Sequence, residues 1–248
     1  MSLSSHFRKT HALGNDFVVL DDCDWTSEQI KAIANRKTGI GCDQILVVGS
    51  ETAPKVRIYN NDGTGANQCL NGLRSLAVIF GRRSIIAPCG LVEIGFSSGS
   101  GFLSTKLKSI TCEHVEIFPW KLRASKVVVG NNHIIVWDTG LRYPYDRILP
   151  QLEGYTANGA NVSVAKVVDF GRLELSTWER GAGWTDSCGS ACAAAVYGGN
   201  DLGYCDSSAL VAVKRGVLEV FWQENNLLQK GPVELIADGR LVFGEIFD

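Results

Sequence analysis

The sequence predicts an α+β protein made of two similar halves that meet near the middle of the chain. The first observation behind this is that short β-favouring runs far outnumber helical patterns across the 248 residues. The second is that two polar, glycine-containing loops each deliver a cysteine, Cys69 or Cys188, to the start of a small-residue, apolar run. The third is a nearly constant spacing between matching positions of the two halves, which indicates an internal duplication.

The repeat spacing also sets the predicted domain boundaries. Three ordered pairs carry it: Asn15 and Asn131 (116 residues apart), Asp43 and Asn161 (118), and Cys69 and Cys188 (119). We predict an N-terminal half of residues 1–118 and a C-terminal half of residues 119–235. A last strand at about 236–248 is one too many for the second half and is expected to return to the first.

The first half shows alternating strand and helix patterns. In order, they predict a strand, a loop at Gly14–Asp16, a strand at Phe17–Leu20, a helix at Thr26–Asn35, strands at Gln44–Val48 and Lys55–Tyr59, a helix at Leu73–Phe80, and strands at 84–88, 91–97, 102–107 and 111–118. Thr26 is a favourable N-cap for the first helix. Gly81 provides a C-terminal stop for the second.

The second half repeats this plan. Its patterns predict a strand at Val127–Val129, a loop at Gly130–Asn132, strands at His133–Trp137, Val162–Val164 and Leu173–Thr177, and a helix at Ala191–Tyr197 that ends at Gly198 and Gly199. The loop at 130–132 corresponds to the loop at 14–16, and the second cysteine loop follows the last of these strands.

Composition and charge narrow the class of protein. Apolar residues make up 45% of the chain and the formal net charge is −2, which disfavours a nucleic-acid or anionic-membrane surface. No continuous apolar stretch approaches the length of a membrane span, and the first residues lack the apolar core of a signal peptide. We therefore expect a cytoplasmic protein, whose eight cysteines do not form a disulfide framework.

The two loop–helix cysteines suggest acid–base chemistry. A helix N-terminus stabilises a thiolate and can also hold a carboxylate, because its first N–H groups are unpaired. Two such thiols on opposite faces of one ligand could remove a proton from one side and donate a proton from the other, which inverts a stereocentre beside a carboxylate. This chemistry requires neither a metal nor an organic cofactor, and the sequence contains no nucleotide-binding fingerprint.

Other interpretations of these residues stand beside this one. Cys69 and Cys188 could form a disulfide, and the remaining cysteines are interpreted as packed apolar residues. A histidine such as His11 or His133 beside a cysteine would instead favour acyl transfer. No pair of Cys or His residues accompanies Cys188 and Cys192 at ligand spacing, so no metal site is predicted.

At these residues the chain resembles the diaminopimelate epimerase family of cofactor-independent amino-acid racemases. The resemblance is carried by Lys9–Phe17, Gly41–Gln44, Asn60–Gly63, Gln68–Arg74, Gly130–His133, Asn161–Val162, Glu179–Gly183 and Cys188–Ser190, in the family's order. It implies two pseudo-symmetric domains, each a mixed or antiparallel β-sheet or barrel wrapped around a central helix. It also implies an active site in the cleft between them, and typically a homodimer.

The resemblance further implies interconversion of LL- and meso-diaminopimelate, for lysine and peptidoglycan precursor synthesis, with Cys69 and Cys188 as base and acid. The implied roles of the other residues are as follows: Asn15, Asn71 and Glu179 hold the amine and the reacting centre; the amides of Leu70, Asn71, Gly189 and Ser190 hold the carboxylate; Asn60, Asn131, Asn161 and Arg180 hold the distant end; and Gln44 is a further site residue.

The chain departs from the family pattern at four positions. Leu70, Asn132, Trp184 and Ala191 stand where the family usually has Gly, Pro, Glu and Gly, respectively, and a deletion of one residue is the alternative explanation at Ala191. Both thiols are retained, so these departures affect the choice of substrate more than the reaction. A two-cysteine racemase for another amino acid is one alternative, and a non-catalytic amino-acid-binding or redox-sensing protein is the other.

Overall fold

The computed structural model describes residues 4–140 and 143–242, and they divide into two compact units. The first unit comprises Met1–Gly101 and Val233–Asp248, and the second comprises Phe102–Pro232. The predicted boundary between residues 118 and 119 would separate two strands that pair as a hairpin, Thr111–Ile117 and Leu122–Val129. The predicted halves, residues 1–118 and 119–235, stay a prediction.

The first unit contains a five-stranded sheet in the order β17-β1-β2-β3-β4 and a β5–β6 hairpin. Its elements are β1 (Ser4–Ala12), β2 (Asn15–Asp21), α1 (Ser27–Ala34), β3 (Gln44–Val48), β4 (Val56–Asn60), α2 (Leu70–Ser75), α3 (Ala77–Phe80), β5 (Arg83–Ala87), β6 (Gly90–Ser97) and, from the end of the chain, β17 (Glu234–Val242). Strand β17 pairs with β1 from Ser4 opposite Val242 to His11 opposite Glu234. Residues 243–248 of the predicted last strand lie outside the described residues.

The second unit contains a larger sheet in the order β7-β16-β15-β14-β12-β11-β10-β9-β8, with β13 paired to β12. Its elements are β7 (Ser100–Lys106, which begins just before the division), β8 (Thr111–Ile117), β9 (Leu122–Val129), β10 (Asn131–Trp137), α4 (Tyr145–Leu152), β11 (Asn161–Asp169), β12 (Arg172–Glu179), β13 (Gly183–Thr185), α5 (Gly189–Asp201), β14 (Ser208–Val213), β15 (Gly216–Gln223) and β16 (Asn226–Pro232). The predicted α+β fold class, rich in strands and poor in helices, is confirmed.

The same strand arrangement recurs in both units. Strand β2 is parallel to β3, which is antiparallel to β4, and β10, β11 and β12 repeat this order. The register corrects one predicted pair. Gln44 lies opposite Phe17, two residues after Asn15, and Asn161 lies opposite His133, two residues after Asn131. Gln44, and not Asp43, is therefore the counterpart of Asn161, because strand register places equivalent residues more precisely than loop patterns do.

The second unit is organised around α5. This helix contacts six strands, β9, β10, β11, β12, β14 and β15, and residues 189–196 are all buried. A helix enclosed on all sides has no amphipathic stripe, which agrees with its composition of Ala, Gly, Ser and Cys. The predicted end at Gly198 and Gly199 is wrong, since the helix continues to Asp201. Here glycine permits close packing, because a Cβ on Gly198 would lie 3.1 Å from the Cβ of Ser125.

The helices of the first unit follow from local signals. Thr26 caps α1 through a capping box, with its side chain accepting from the Gln29 N–H and the Gln29 side chain accepting from the Thr26 N–H. The predicted helix at Leu73–Phe80 begins earlier, at Leu70, and is divided at Leu76 into α2 and α3. Gly81, with a φ of 63°, ends α3 as predicted.

The sequence patterns missed helix α4 and strands β13 to β16. Helix α4 is short and has Pro150 inside it, so its pattern is weak, yet Ile148, Leu149 and Leu152 are buried in a core with Ile134 of β10.

Among the described residues, none of the helices has the length and apolar character needed to cross a membrane.

The close packing of α5 gives a testable prediction. A Cβ on Gly199 would lie 2.9 Å from the Cys205 sulfur and 3.0 Å from the Trp137 ring, whose Nε1 is bonded to Ser125 and cannot move freely. We expect Gly199→Ala to lower the free energy of unfolding by about 1–3 kcal/mol, as overpacked core variants do. Urea denaturation measures this change.

The matched control is Gly154→Ala. A Cβ at Gly154 meets no atom within 4 Å, and this glycine has no positive φ. Its substitution should change the unfolding free energy by less than about 0.5 kcal/mol. Equal stability of the two variants would contradict the tight packing of α5 against β10.

Candidate active site

In the first unit, Cys69 is the N-cap of α2. Its backbone is extended (φ −149°, ψ 92°), and its sulfur accepts a hydrogen bond from the Gly72 N–H at 3.3 Å. A Cβ on Gly72 would lie 3.2 Å from this sulfur and 3.2 Å from the Phe17 ring. Glycine at position 72 therefore lets the helix start lie close against β2. Cys69 is partly exposed at this helix start.

The predicted binding residues of the first unit lie at one end of the strands of its sheet. Asn15 begins β2, Gln44 begins β3 and Asn60 ends β4. Because β2 and β3 are parallel and β4 is antiparallel to β3, all three residues lie at the same end of the strands. The Gln44 side-chain amide donates to the Asn60 Oδ1 at 3.1 Å, and Asn60 donates in turn to the Thr64 hydroxyl at 3.0 Å.

A cluster of charged residues holds the Asn15 side chain in place. Asn15 Nδ2 donates to the Asp43 carboxylate at 2.8 Å, and the Asp43 N–H donates to the Asp16 carboxylate at 3.0 Å. Arg36 bridges Asp16 (2.6 Å) and Asp43 (2.7 Å), and Lys9 also contacts Asp16. Burial raises the pKa of Asp16, but the bonds from Arg36 and Lys9 outweigh it and bring the pKa to about 2. Asp16 is therefore ionised at any ordinary pH.

Leu70 and Asn71 follow Cys69 in the first turn of α2, and both are 2% exposed. The Asn71 Oδ1 accepts a hydrogen bond from Arg74 at 2.9 Å, and the Arg74 side chain is fully buried. The Leu70 side chain belongs to the apolar interior, so it does not stand in solvent beside the helix N-terminus. A leucine at this position, where the family usually has glycine, is accommodated by burial.

In the second unit, Cys188 is the N-cap of α5, as Cys69 is of α2. Its backbone is again extended (φ −125°, ψ 109°), and its sulfur lies 3.5 Å from the Ser190 hydroxyl. Unlike Cys69, it is only 6% exposed. Burial, and then the negative charge of Glu179, raise the pKa of the Cys188 thiol well above its ordinary value, although Ser190 and the Ala191 N–H oppose this. Cys188 is therefore a neutral thiol at neutral pH.

The predicted binding residues of the second unit also lie at one end of its strands. Asn131 begins β10 and is exposed, Asn161 begins β11, and Glu179 ends β12. The register pairs Val162 with Trp178, so Asn161 and Glu179 are the next residues of the two strands, whereas Asn60 lies directly opposite Gln44. The Thr185 hydroxyl donates to the Glu179 carboxylate at 2.6 Å. The strand ends of the second unit thus carry two side-chain amides and the Glu179 carboxylate, which accepts a hydrogen bond from a hydroxyl.

Arg180 is exposed and oriented by its neighbours. The Asn161 Oδ1 accepts a hydrogen bond from the Arg180 N–H at 3.0 Å, and the guanidinium donates to the Asn158 carbonyl. A Cβ on Gly159 would lie 2.6 Å from Arg180 Cδ, so glycine permits the side chain to cross this loop. Arg180 keeps donors available at the surface of the second unit.

The start of α5 is held by a buried glutamine. Gln229 of β16 donates to the Gly189 carbonyl at 2.6 Å, and Ser190 is 7% exposed. This bond fixes the first turn, whose N–H groups at Gly189 and Ser190 are predicted to hold a carboxylate. Strand β16 was not predicted, so no pattern in the sequence indicated this contact.

Two of the four departures from the family pattern make specific contacts. Asn132 donates to the Gly159 carbonyl at 3.0 Å, which ties the loop before Asn161 to β10 and which a proline could not do. Trp184 is 42% exposed and packs edge-on against Trp178, with ring centroids 5.8 Å apart. Trp184 therefore places an indole, and not a carboxylate, on the surface of β13.

The histidine alternative is weak for His133. Its side chain is 1% exposed, and burial lowers its pKa to about 3, which makes it a poor base for activating a thiol. His11 lies 3.4 Å from Glu234 of β17. These surroundings disfavour His133 as the base of a Cys–His nucleophile.

Within each unit, the predicted residues gather in two places. One is the N-terminus of the central helix. The other is the end of the sheet at which Asn or Gln residues begin two parallel strands. Sequence reasoning missed several supporting residues: Lys9, Arg36, Thr64, Arg74, Asn158, Thr185 and Gln229. Lys9 and Arg74 lie within the motifs, and Thr64 and Thr185 lie just after them, but none had a predicted role. Arg36, Asn158 and Gln229 lie outside the motifs, and only the fold brings them to Asp16, Arg180 and Gly189.

Comparisons with solved structures show the fold that this chain shares with other proteins. The fold matches a phenazine biosynthesis protein of the PhzF family from Enterococcus faecalis (TM-score 0.72, 15% identity, 96% of this chain and 99% of that chain). It also matches a hydroxyproline epimerase from Agrobacterium vitis (TM-score 0.70, 13% identity, 98% of this chain and 94% of that chain). This chain therefore has the two-unit α+β fold that these proteins share.

Sequence comparison gives the family. The profile described as "Diaminopimelate epimerase" matches residues 7–108 and 126–236. A diaminopimelate epimerase of Rickettsia bellii is 31% identical, over 96% of this chain and 98% of the relative. Another, of Pseudomonas syringae pv. syringae, is 30% identical, over 95% of this chain and 98% of the relative. The chain belongs to the diaminopimelate epimerase family.

The Asp16 cluster predicts a pH-dependent contribution to stability. The folded pKa, about 2, lies below the ordinary 3.8, so the ionised carboxylate stabilises the fold above about pH 4. This stabilisation is lost as the pH falls from about 4 to about 2. We expect Asp16→Asn to lower the unfolding free energy by about 2 kcal/mol at pH 7, with the difference narrowing toward pH 2.

Urea denaturation at a series of pH values measures this effect. Asp24→Asn serves as the control, because Asp24 is exposed and should show little change at any pH. A difference between Asp16→Asn and wild type that stays constant down to pH 2 would contradict the ionised state of the cluster.

The two N-cap cysteines should differ in reactivity toward an alkylating reagent. The Cys69 sulfur is half-exposed and accepts an N–H, whereas Cys188 is buried with a raised pKa. We expect Cys188 to react at least ~10-fold more slowly than Cys69 at pH 8, since one pKa unit changes the thiolate fraction tenfold. Peptide mass spectrometry after timed quenching gives both rates.

Cys205 provides an internal reference for a slow thiol. It is buried, and burial followed by the Asp206 charge raises its pKa to about 11. Cys188 should react at a rate closer to that of Cys205 than to that of Cys69. Equal rates for Cys69 and Cys188 would refute the asymmetry.

Proposed function

We propose that this protein is an amino-acid epimerase that interconverts LL-2,6-diaminopimelate and meso-diaminopimelate, in lysine and peptidoglycan precursor biosynthesis. The observation that carries the proposal is that Cys69 and Cys188 are N-caps of the equivalent helices of two units with the same strand arrangement. Membership of the diaminopimelate epimerase family supports the same reaction.

The proposed mechanism uses one thiolate and one thiol. One sulfur removes the α-proton while the other donates a proton to the opposite face, and the roles exchange when the reaction runs backward. The environments support Cys69 as the resting base, because its sulfur accepts the Gly72 N–H. They support Cys188 as the resting acid, because burial and Glu179 keep it protonated. After one turnover the protonation states are reversed.

The carbanion that forms beside the carboxylate needs electrostatic stabilisation. We assign this to the first-turn N–H groups of α2 and α5, at Leu70, Asn71, Gly189 and Ser190. The support for this assignment is that the N–H groups at a helix start lack intrahelical partners and are held rigidly by burial. Neither the thiol pair nor these N–H groups requires a metal or organic cofactor for this step.

The remaining predicted residues would bind the two amino-acid ends of the substrate. Asn15, Asn71 and Glu179 are assigned to the reacting amine. The distant end is assigned to Asn60, Asn131, Asn161 and Arg180, and Gln44 is assigned as a further site residue. Arg180 carries donors suited to a second carboxylate, and its backbone is held by Asn161.

We also propose a cytoplasmic homodimer that acts on a free amino acid. The family resemblance supports the dimer, and the modest net charge of −2 supports a small-molecule substrate over a nucleic acid. Sedimentation of the purified protein would test the oligomeric state.

A second candidate is a racemase of the same mechanism that acts on another amino acid. The specific observation in its favour is Trp184, which places an exposed indole where the family usually has a glutamate. An aromatic ring favours apolar or cationic substrate groups over a carboxylate.

The decisive experiment is α-proton exchange in deuterated water with the reduced protein. Mass spectrometry should show deuterium entering diaminopimelate with wild type. Cys69→Ala and Cys188→Ala should each reduce the exchange at least ~10²-fold, since each removes one acid–base group. Exchange with other L-amino acids but not with diaminopimelate would favour the second candidate.

Cys192→Ala is the matched control. Cys192 lies one turn after Cys188 on the same helix and is fully buried, so its loss should leave exchange within about 3-fold of wild type if its role is packing. Ligand binding by reduced wild type without exchange of any amino acid would overturn the proposal and favour a non-catalytic binding protein.

A further inference from the structure

A second group of polar side chains lies in the second unit, away from the helix start at Cys188. Cys112 and His114 are on strand β8, and Asp201 is the last residue of α5. Because side chains alternate along a strand, residues 112 and 114 point to the same face of the sheet. That face carries α5, since His114 lies opposite Ser125 and Ser125 lies against Gly198.

The three side chains converge on one point. His114 Nε2 lies 2.8 Å from the Asp201 carboxylate and 3.9 Å from the Cys112 sulfur. The three potential ligand atoms all lie within 4.8 Å of one another. Ligands around a tetrahedral zinc ion are separated by about 3.4–3.6 Å, given bond lengths of about 2.0–2.3 Å. Small rotations of these side chains would therefore reach metal-binding geometry.

The imidazole is already oriented in the way that metal sites require. Its other nitrogen, Nδ1, lies 2.9 Å from the Ser125 hydroxyl, which also accepts a hydrogen bond from the Trp137 indole at 2.8 Å. Ser125 and Trp137 are both buried. A histidine whose second nitrogen is held by a rigid partner presents Nε2 to a metal with little loss of freedom.

A serine hydrolase triad is the other chemistry that this geometry suggests. Ser125, His114 and Asp201 form a hydrogen-bonded line, but Ser125 is 0% exposed and its oxygen accepts the Trp137 N–H. A substrate carbonyl could not reach this hydroxyl. His114 and Asp201, in contrast, are exposed on the side away from Ser125, so the accessible end of the line is the end that a cation would reach.

The helix adds an electrostatic argument. Asp201 places a negative charge at the C-terminus of α5, where the helix dipole disfavours anions and favours cations. A divalent ion bound by Asp201 would interact favourably with the carboxylate and with the helix end. The thiolate and the carboxylate together would neutralise the ion.

We propose that Cys112, His114 and Asp201 form a binding site for a divalent transition-metal ion of the zinc class, which ties the end of α5 to strand β8. A sulfur, an imidazole nitrogen and a carboxylate oxygen are the ligand set that zinc and cobalt prefer over magnesium and calcium. Water completes the coordination on the exposed side.

This site goes beyond the proposed epimerase activity and gives Cys112 a proposed role other than packing. Burial, and then Asp201, raise the pKa of the Cys112 thiol to about 11, so metal binding at neutral pH releases a proton from this thiol. The sequence signal was a Cys and a His two residues apart on a strand, with the third ligand 87 residues away from His114.

The test is cobalt binding by the full-length, reduced, metal-free protein. Wild type should bind one equivalent of Co²⁺ with the visible absorption of a tetrahedral site and a thiolate-to-cobalt charge-transfer band. Zinc should displace the cobalt and raise the melting temperature. Cys112→Ser should abolish the charge-transfer band, and His114→Gln and Asp201→Asn should each weaken binding at least ~10-fold.

Two controls separate this site from the other thiols. Cys89→Ser, which removes a half-exposed cysteine of the first unit, should leave the cobalt spectrum unchanged. The double variant Cys69→Ser/Cys188→Ser should also retain it, which separates this site from the proposed catalytic thiols. Circular dichroism and urea denaturation confirm that each variant is folded. If Cys112→Ser does not fold, His114→Gln and Asp201→Asn, both at exposed side chains, provide the same test.

Absence of a cobalt spectrum in wild type would overturn the proposal. So would a spectrum that survives Cys112→Ser or that disappears in Cys69→Ser/Cys188→Ser. Proton exchange into diaminopimelate is measured separately, so failure of the metal site leaves the proposed epimerase function untouched.

Discussion

The start of a buried helix is the feature on which the candidate chemistry depends. In each unit a cysteine occupies the N-cap, so its sulfur lies beside N–H groups that have no partner within the helix. The helix can hold this position only because it is packed tightly in its own unit. Gly72 allows close approach to β2, and Gly198 and Gly199 allow α5 to lie against β9 and β10. Packing therefore determines where each thiol is presented.

The duplicated architecture does not make the two thiols equal. Cys69 is half-exposed, whereas Cys188 is buried near Glu179, which raises its pKa. The difference arises from surroundings and not from the cap geometry, which is similar in both units. Equivalent strand ends carry different groups, with Asn60 opposite Gln44 in one unit and, in the other, Glu179 and Asn161 just beyond the Val162–Trp178 pair. A symmetric scaffold with an asymmetric charge suits a reaction in which one group must give a proton and the other must take one.

Charged residues that had no predicted binding role support residues that did. Asn15 is held by Asp43, which is held in turn by Arg36 and Asp16. Without its cations, a partly buried carboxylate pair of this kind would destabilise the fold. Because Arg36 follows helix α1, the cluster also links strand β2 to the end of that helix. In the second unit, Gln229 performs a similar task for the first turn of α5 through one buried hydrogen bond.

The sequence by itself determined the strand-rich α+β class, the duplication, the Thr26 cap and the two loop–helix cysteines, because these features depend on local patterns and on spacing along the chain. The family resemblance also identified Asn15, Gln44, Asn60 and Glu179 as candidate binding residues. Tertiary structure alone decided the register that makes Gln44 the counterpart of Asn161 and the continuation of α5 through Gly198 and Gly199. It also decided that Cys188 is buried while Cys69 is partly exposed. The meeting of Cys112 and His114 with Asp201 is of the same kind. Register, burial and contacts between distant residues depend on which surfaces pack together, and no local pattern in the chain encodes that choice.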